Sequence, residues 1–374
     1  MNNFEHIYIH WPFCNSKCYY CDFLSFCNKT NQDKEYHDVL CSQLKYFKDN
    51  KSKIKTIYIG GGTPSIYPLD LLKELFENLN KNFDLSDVKE ITIEANPADI
   101  TKDKLEAWKS FGINRLSMGI QILSDEILAK IGRRQTTADA IGAINLAEKY
   151  FDNISVDLIL GLPDVTDEIW QNSLKTVVSW PVKHISVYIL TLYNKTKLYD
   201  LVKRNEISLQ KDDTIISHYI KTVEFLEKND FMQYEISNFS KVGFESIHNM
   251  AYWDRKPYLG LGLGASSFDG TARYINETNL NKFLNINLNP LNCAQKEILT
   301  DRQVFIEKLM LDLRKKNGGD LHSMLYFLKS ADKIKFLNSI EELKKQGLIL
   351  QIGGKVSLTQ KGLLLENEVV LKLI

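Results

Sequence analysis

The feature that most constrains the fold is a repeated alternation in the first half of the chain. Short runs rich in β-branched residues are each separated by a turn from a segment whose apolar residues recur at intervals of three and four, as at 33–49, 69–79 and 102–110. Strands that alternate with helices are joined by right-handed crossovers and form a parallel sheet. The sequence therefore predicts an α/β fold with six strands, at His6–His10, Thr56–Ile59, Glu90–Glu94, Arg115–Gly119, Ser155–Leu160 and His184–Leu190.

Periodicity alone leaves two architectures open, a doubly wound sheet and part of a barrel. In both, ligands bind where the carboxyl ends of the parallel strands meet. Several residues with distinctive chemistry lie near those ends or in the loops that follow. We therefore expect one mouth that gathers several motifs, and its candidate residues are Cys14, the segment 60–63, Glu94, Gln121 and Asp157.

The rhythm of strands and helices changes after about residue 195. A helical pattern at 208–228 precedes a region with a Gly-rich stretch at 258–265, which we expect to form a layer around the mouth. Helical patterns at 300–314 and 332–346 precede two short strands joined by a Gly-Gly turn, an order that resembles a winged helix. The predicted domains are 1–230, a middle region at 231–290 and a winged-helix-like domain at 291–374.

The balance of charge excludes one class of partner. The 374 residues include 47 Lys and Arg against 47 Asp and Glu, so no global positive field attracts nucleic acid. The sequence does not open with a basic stretch followed by an apolar run, and nowhere do about 18 uncharged apolar residues follow one another. We therefore predict a cytoplasmic protein without a nucleic-acid partner.

Three of the six cysteines form the motif C-x3-C-x2-C. Cys14, Cys18 and Cys21 follow directly after the first predicted strand. Such crowding in a long chain that is not secreted indicates metal binding rather than disulfides. Three thiolates satisfy three irons of a [4Fe–4S] cluster and leave the fourth iron open to another ligand. A zinc site completed by His10 and a set of three unrelated thiols are the alternatives that this spacing leaves.

With this motif the sequence resembles the radical S-adenosylmethionine (SAM) family. Two companion segments resemble its coproporphyrinogen-dehydrogenase-like branch: Tyr-Ile-His-Trp-Pro-Phe-Cys at 8–14 and Gly-Gly-Gly-Thr-Pro-Ser at 60–65. The resemblance implies a partial (β/α)6 barrel over about residues 5–195, with an added middle layer and a winged-helix-like C-terminal domain. It also implies that the three motif cysteines hold a [4Fe–4S] cluster and that SAM binds the open iron.

Small and polar residues at the predicted mouth suit SAM. Gly61 and Gly62 lack side chains, so their backbone can approach a ligand closely, although a tight turn is the alternative explanation. Glu94 offers a carboxylate to ribose hydroxyls or to an ammonium group, and a surface carboxylate is the alternative there. Resemblance to the dehydrogenase of this branch implies SAM contacts at Tyr8, Tyr20, Gly61, Gly62, Thr63, Glu94, Gln121, Arg133 and Asp157.

Two features divide the members of this branch. The dehydrogenase has a further Cys two residues after the motif, where this chain has Phe23, and Phe is typical there of haem chaperones of the HemW type. The segment 248–253, His-Asn-Met-Ala-Tyr-Trp, resembles the H-N-x-x-Y-W motif of those chaperones. A neutral imidazole is a good axial ligand for haem iron, and aromatic rings offer flat apolar surface to a porphyrin. A packed core histidine is the alternative. The resemblance implies haem contacts at His248, Asn249, Tyr252 and Trp253.

The resulting prediction is a haem chaperone that binds a [4Fe–4S] cluster, SAM and haem and passes haem to an acceptor protein. Acceptors in the resembled family are respiratory haem proteins of the membrane, so the prediction includes a transient membrane association. The alternative is an enzyme, oxygen-independent coproporphyrinogen III dehydrogenase, in which a deoxyadenosyl radical abstracts hydrogen from the propionates and decarboxylation follows. A zinc-binding structural protein is a third hypothesis.

Overall fold

The computed structural model describes residues 4–27, 29–47, 52–285 and 295–374. The described strands are β1 His6–Trp11, β2 Phe13–Cys14, β3 Phe26–Cys27, β4 Thr56–Gly61, β5 Glu90–Ala95, β6 Arg115–Gln121, β7 Asn153–Leu160, β8 His184–Ile189, β9 Met232–Glu235, β10 Asn238–Ser240, β11 Tyr258–Leu261, β12 Ser266–Phe268, β13 Ala272–Ile275, β14 Gln295–Ile298, β15 Gly319–Asp320, β16 Ile349–Ile352 and β17 Lys355–Leu358. The described helices are α1 Asp33–Lys45, α2 Leu69–Asn82, α3 Lys102–Ser110, α4 Asp125–Lys130, α5 Thr137–Ala147, α6 Asp167–Ser179, α7 Lys197–Lys203, α8 Asp212–Glu227, α9 Ile247–Trp253, α10 Leu280–Leu284, α11 Asp301–Arg314, α12 Leu321–Tyr326, α13 Ser330–Lys345, α14 Gln360–Leu363 and α15 Glu366–Leu373.

Six parallel strands in chain order form the centre of the main sheet, in the order β1-β4-β5-β6-β7-β8. All six predicted strands are present, and helices connect them as the sequence pattern predicts. Strand β4 continues two residues further than predicted, because Gly60 and Gly61 pair with β1 before the chain turns. In the described sheet, β1 and β8 pair with other strands rather than with each other, so the six-strand unit is open.

The two faces of this sheet differ in polarity because successive side chains of a strand point to opposite sides. On β1, β4 and β5, one face carries isoleucines that are buried in the core against the surrounding helices. The other face carries polar and aromatic side chains, three of which, Tyr8, Tyr58 and Glu94, line an internal cavity. The inward positions of these strands are His6, Tyr8, His10, Thr56, Tyr58, Gly60, Glu90, Thr92 and Glu94.

The middle region extends the sheet at both edges. Strand β10 pairs antiparallel with β8, and β11 pairs parallel with β1. The connection between them carries helix α9, which contacts Thr56 and Glu90, the first residues of β4 and β5. The helix therefore lies at the amino-terminal end of the barrel. The expected layer around the mouth is formed instead by the glycine segment after β11, where Gly264 and His10 line one cavity.

A second hydrophobic core is formed within residues 305–373 by helices α11, α13 and α15 and the three-stranded sheet β15-β17-β16. This order of helices and a β-hairpin matches the predicted winged-helix-like unit. An ion pair between Arg314 and Glu235 of β9, at 2.8 Å, joins this unit to the middle region. The predicted boundary between residues 290 and 291 lies outside the described residues. None of the described helices is long and apolar enough to cross a membrane.

Candidate functional site

The cluster loop, residues 14–27, leaves the carboxyl end of β1. Cys14 ends the short strand β2, which pairs with β3 so that Cys27 lies beside it. Cys14 is buried, whereas Cys18 and Cys21 are partly exposed. Burial raises the pKa of the Cys14 thiol, and it raises the pKa of the Cys21 thiol to about 11. Without a metal these two thiols are protonated at neutral pH, and a bound metal would displace the protons.

The spacing of the three thiols fits an iron–sulfur cluster better than zinc. Tetrahedral zinc with Zn–S bonds of about 2.3 Å requires ligand atoms less than about 4 Å apart. In the described part of the chain, only one trio of ligand atoms lies within 4.8 Å of one another, and that trio is elsewhere. His10, the predicted fourth zinc ligand, has both ring nitrogens engaged, with Nδ1 3.1 Å from Tyr8 Oη and Nε2 2.8 Å from the Leu24 carbonyl. The three motif sulfurs therefore do not all lie within 4.8 Å of one another, and a cubane, whose thiolates bind three different irons, does not require them to.

The glycine loop after β4 packs directly on the backbone of residues 11–13, just ahead of the cluster loop. The Gly62 amide donates to the Trp11 carbonyl at 2.7 Å, and the Thr63 amide donates to the Phe13 carbonyl at 2.9 Å. A Cβ at Gly62 would lie 2.7 Å from the Phe13 carbonyl oxygen. Gly62 is therefore required for close contact between the glycine loop and residues 11–13. Gly61, at a φ of 114°, lines the cavity.

Glu94 is the carboxylate of the cavity. The Tyr58 hydroxyl donates to its Oε1 at 2.8 Å, and the Gly61 amide donates to its Oε2 at 3.1 Å. Burial raises its pKa to about 7, despite the two hydrogen bonds that favour the ionised form. A carboxyl group with this pKa is near half ionisation at neutral pH. Binding of a cation or a hydroxyl-rich ligand beside it would therefore move its proton.

On the other side of the cluster loop, Arg133 connects the loop to the end of β6. Its Nη1 donates to Cys18 Sγ at 3.4 Å, and its Nη2 donates to the Gly119 carbonyl at 2.6 Å. The adjacent Arg134 turns away and pairs with Asp99. Of the two arginines, Arg133 is therefore the one beside the cluster loop.

Gln121, at the end of β6, has a φ of 62° at an irregularity between β6 and β7, a conformation that strains a residue with a Cβ.

Two of the predicted SAM residues are more deeply placed than the sequence pattern indicates. Asp157 is the fifth residue of β7 rather than its end, and Ser117 Oγ donates to its Oδ2 at 3.2 Å. Burial raises its pKa, although the hydrogen bond from Ser186 and the nearby guanidinium of Arg115 act in the opposite direction. Tyr20 is packed against the core beside Cys18, and burial raises its pKa. Both residues support the mouth from within.

The predicted haem motif lines the same cavity from the amino-terminal end of the barrel. His248, Asn249 and Tyr252 line a cavity of about 220 Å³ together with Tyr8, Tyr58, Gly61, Glu94, Tyr188 and Phe23. His248 and Tyr252 are four residues apart on α9 and share one face of the helix. Trp253 is turned toward the C-terminal unit, where its ring stacks with the Arg314 guanidinium at 4.5 Å, and it is not among the described residues that line this cavity.

Both ring nitrogens of His248 have partners. Nδ1 is 2.7 Å from Thr56 Oγ1, which is itself 2.8 Å from Nδ1 of His6, and Nε2 is 2.9 Å from Tyr252 Oη. The side chain is 1% exposed, and burial lowers its pKa to about 3. The imidazole is therefore neutral, as a haem ligand must be. It reaches a metal only if Nε2 exchanges the Tyr252 hydrogen bond for that metal.

Glu90 holds this helix in place, and sequence reasoning did not single it out. Its carboxylate accepts bonds from the amides of Ile247 at 3.0 Å and His248 at 3.0 Å, and from Ser246 Oγ at 3.3 Å. The buried guanidinium of Arg115 lies close enough for Glu90 to raise its pKa. A buried glutamate as the first residue of an apolar strand was the available signal, because such a residue needs a partner.

Comparisons with known proteins agree with this geometry. The model of the radical SAM superfamily matches residues 8–177. The protein named heme chaperone HemW from Bacillus subtilis is 34% identical over 97% of both chains. The heme chaperone HemW from Lactococcus lactis is 32% identical over 98% of this chain and 96% of its own.

A solved structure shares the fold over nearly the whole chain. It is coproporphyrinogen III oxidase (HemN) from Escherichia coli, described as a radical SAM enzyme. The TM-score is 0.84 with 22% identity, covering 98% of this chain and 89% of that chain. This likeness establishes the fold, a partial (β/α)6 barrel with additions, and the relatives above establish the family. The chain belongs to the radical SAM superfamily and, within it, to the HemW family.

Proposed function

We propose that this protein is a haem chaperone, which binds haem and delivers it to an acceptor protein. The observation that carries the proposal is Phe23 in the cluster loop. Phe23 stands where the dehydrogenase of this branch has a further Cys. Its side chain is 67% exposed, and it lines the cavity that the predicted haem and SAM residues share. An exposed aromatic side chain at a cavity mouth suits a flat apolar ligand and contributes no thiol chemistry.

The family implies a [4Fe–4S] cluster and SAM, and the donor set fits both. Cys14, Cys18 and Cys21 would hold the cluster, and Glu94 and the backbone of Gly61 would meet SAM. When bound together, the cluster and SAM supply one-electron cleavage of a carbon–sulfur bond to a deoxyadenosyl radical. The contribution of the chain is to hold these groups beside a carboxylate whose proton moves near neutral pH.

The size of the cavity bears on where a porphyrin would lie. Pockets for molecules of drug size occupy about 300–1,000 Å³, so about 220 Å³ does not enclose a haem. Phe23 and Tyr188, which is 43% exposed, form the accessible aromatic rim. We therefore place the porphyrin plane on this rim. His248 could bind the haem iron from the amino-terminal side of the cavity only if its Nε2 gives up the hydrogen bond to Tyr252 Oη.

The first experiment separates the chaperone from the enzyme. Cluster-loaded protein is incubated anaerobically with SAM, a reductant and coproporphyrinogen III, with an active dehydrogenase in parallel, and products are separated by chromatography and weighed by mass spectrometry. We expect no decarboxylated product. Product over many turnovers would make the protein a dehydrogenase and overturn the proposal.

Haem titrations then locate the site. Phe23→Ser should weaken haem binding several-fold, because it removes rim surface, while Tyr326→Ser, which removes a side chain 79% exposed on the C-terminal unit, should not. His248→Ala should weaken binding and alter the haem spectrum while the cluster is retained. Tyr252→Phe keeps the ring but frees Nε2, so it should bind at least as tightly. An unchanged affinity in His248→Ala would place the axial ligand elsewhere.

A further inference from the structure

A second cluster of metal-ligating side chains lies between helices α1 and α2, apart from the barrel cavity. His37 and Cys41 are four residues apart on α1, so they share one face of the helix, and Glu74 faces them from α2. One ligand atom from each lies within 4.8 Å of the other two. None of these residues belongs to the cluster loop or lines the cavity described above.

Two of the distances in this trio are close to the edges of a tetrahedral zinc site. His37 Nε2 is 3.3 Å from Glu74 Oε2 and 3.3 Å from Cys41 Sγ. With Zn–N and Zn–O bonds of about 2.0–2.1 Å and a Zn–S bond of about 2.3 Å, a tetrahedron requires about 3.3 Å between N and O and about 3.6 Å between N and S. Two of the three edges thus agree to within a few tenths of an ångström, and the third, between Cys41 Sγ and Glu74, is no longer than 4.8 Å. Cys41 Sγ is also 3.9 Å from Nδ1 of His37, so it would shift toward the Nε2 lone pair when a metal binds.

Neighbouring residues orient the ligands as the outer shell of a metal site does. His37 Nδ1 is 2.8 Å from Tyr67 Oη, which leaves Nε2 directed at the other two ligands. Asn78 Nδ2 donates to Cys41 Sγ at 3.7 Å. Partners of this kind fix the tautomer of the histidine and the position of the thiolate. Tyr67 in turn stacks on Trp11, just ahead of the cluster loop, with ring centroids 3.7 Å apart.

The site combines burial with access. His37 is fully buried and Cys41 nearly so, whereas the Glu74 side chain is 46% exposed, so a metal ion enters from the Glu74 side. Burial raises the pKa of the Cys41 thiol to about 12 and lowers that of His37. The metal would need to displace the thiol proton, as zinc does on binding cysteine. Lys34, 3.5 Å from Glu74 Oε2, is an exposed partner that a dication would replace.

We propose that His37, Cys41 and Glu74 bind one Zn²⁺ with a fourth position open to solvent. The three-ligand set with an open position is that of exchangeable or catalytic zinc rather than a closed structural site. The ion would join α1 to α2 on the outer surface of the barrel. The contacts of Tyr67 would connect its occupancy with the lead-in to the cluster loop.

The test uses untagged full-length protein that is first reconstituted anaerobically with iron and sulfide, so that the cluster thiols are occupied, and then washed with a chelator. Zinc is titrated against a chromophoric competitor. We expect one Zn²⁺ per chain with submicromolar affinity in the wild type. His37→Gln and Cys41→Ala should abolish this binding. Glu74→Gln, which alters a partly exposed side chain and leaves the core intact, should weaken it at least tenfold.

Glu77→Gln on an exposed position of the same helix is the matched control and should bind as the wild type does. Substitution with Co²⁺ adds a spectroscopic readout, with thiolate charge-transfer and tetrahedral visible bands that vanish in Cys41→Ala. Absence of stoichiometric zinc in the wild type, or equal affinity in Glu74→Gln and the wild type, would overturn the proposal. Neither outcome depends on haem binding, so the chaperone proposal stands or fails separately.

Discussion

The reactive side chains at the two ends of the barrel differ in their exposure and in how fully they are hydrogen-bonded. At the carboxyl end, the thiols of Cys18 and Cys21 are partly exposed, and Arg133 approaches Cys18. At the amino-terminal end, His248 is buried with both ring nitrogens and its amide engaged. The first end carries partly exposed thiols, whereas the second is a completed hydrogen-bond network. A sequence motif is equally visible at either end, but at the second a metal can bind His248 only after the hydrogen bond to Tyr252 is broken.

The largest expected effect concerns the cluster loop. Cys18→Ala should abolish cluster assembly, because two remaining motif thiolates cannot anchor a cubane. Iron and acid-labile sulfide, measured after anaerobic reconstitution, should fall nearly to zero. Cys41→Ala, which removes a thiol on α1, should retain the wild-type content. Normal iron and sulfide in Cys18→Ala would refute the assignment of this loop as the cluster site.

The next largest effect concerns the anchoring of α9. Glu90→Gln should lower the free energy of unfolding by about 3 kcal/mol, because it weakens three charge-assisted bonds and removes one of the two carboxylates, with Asp157, that stabilise the charge of the buried Arg115. Chemical denaturation at pH 7 measures the change. Glu77→Gln, at an exposed position, should change the free energy by less than about 0.5 kcal/mol. Similar values for the two variants would show that α9 is held by packing alone.

The buried histidines at the amino-terminal end predict a pH dependence. Burial lowers the pKa of His6 to about 4 and that of His248 to about 3, against about 6.5 when unfolded. Below pH 6.5 the unfolded chain binds more protons than the folded one, so stability is lost as the pH falls from 6.5 toward 4. Each histidine should contribute a loss of about 2 kcal/mol at pH 5.

Unfolding free energies of the wild type and His6→Gln at pH 7 and pH 5 check this prediction. The variant should lose less stability on acidification than the wild type, by about 2 kcal/mol. An identical pH dependence in the two proteins would mean that His6 has no depressed pKa.

The smallest effect distinguishes two adjacent arginines. Arg133→Gln removes a charged hydrogen-bond donor to Cys18. Loss of this positive charge disfavours the reduced cluster, because the reduced cluster is more negative than the oxidised one. The reduction potential should therefore fall by on the order of 50 mV, equivalent to about 1 kcal/mol for one electron. Arg134→Gln, whose wild-type side chain pairs with Asp99, should leave it unchanged. Potentiometric titration of the reconstituted cluster measures both. A larger shift in Arg134→Gln would reverse the assignment.

The sequence predicted the elements whose signals are local. Strand and helix periodicity predicted six parallel strands, which the structure confirms, because this pattern arises within a few residues. The cysteine spacing is equally local, and the cluster that it indicates stays a prediction. The position of α9 was not predictable in this way. His248 meets Thr56, which is 192 residues away in the sequence, so no local pattern indicates which end of the barrel the helix occupies.

The same reason explains the other omissions. Glu90 accepts a hydrogen bond from an amide 158 residues later, and Asp157 lies inside its strand, three residues before the end at Leu160. His37 and Cys41 did carry a local signal, a four-residue spacing on one helix face, but Glu74 completes the trio only after α2 packs on α1. Trp253, the last residue of its motif, follows Tyr252 by one residue on α9, and that step rotates its side chain toward the C-terminal unit.

The pairing of β1 with β11 has a consequence for synthesis of the chain. Residues 6–9 find their outer neighbours only at 258–261, so one edge of the first strand is unpaired until the ribosome has made two thirds of the protein. At about 5–20 residues per second, this interval is on the order of ten to fifty seconds. The unpaired backbone groups of an exposed strand edge are a template for intermolecular pairing, and this strand also carries the apolar side chains of Ile7 and Ile9. Nascent or truncated chains that end before β11 are therefore the forms of this protein most prone to aggregate.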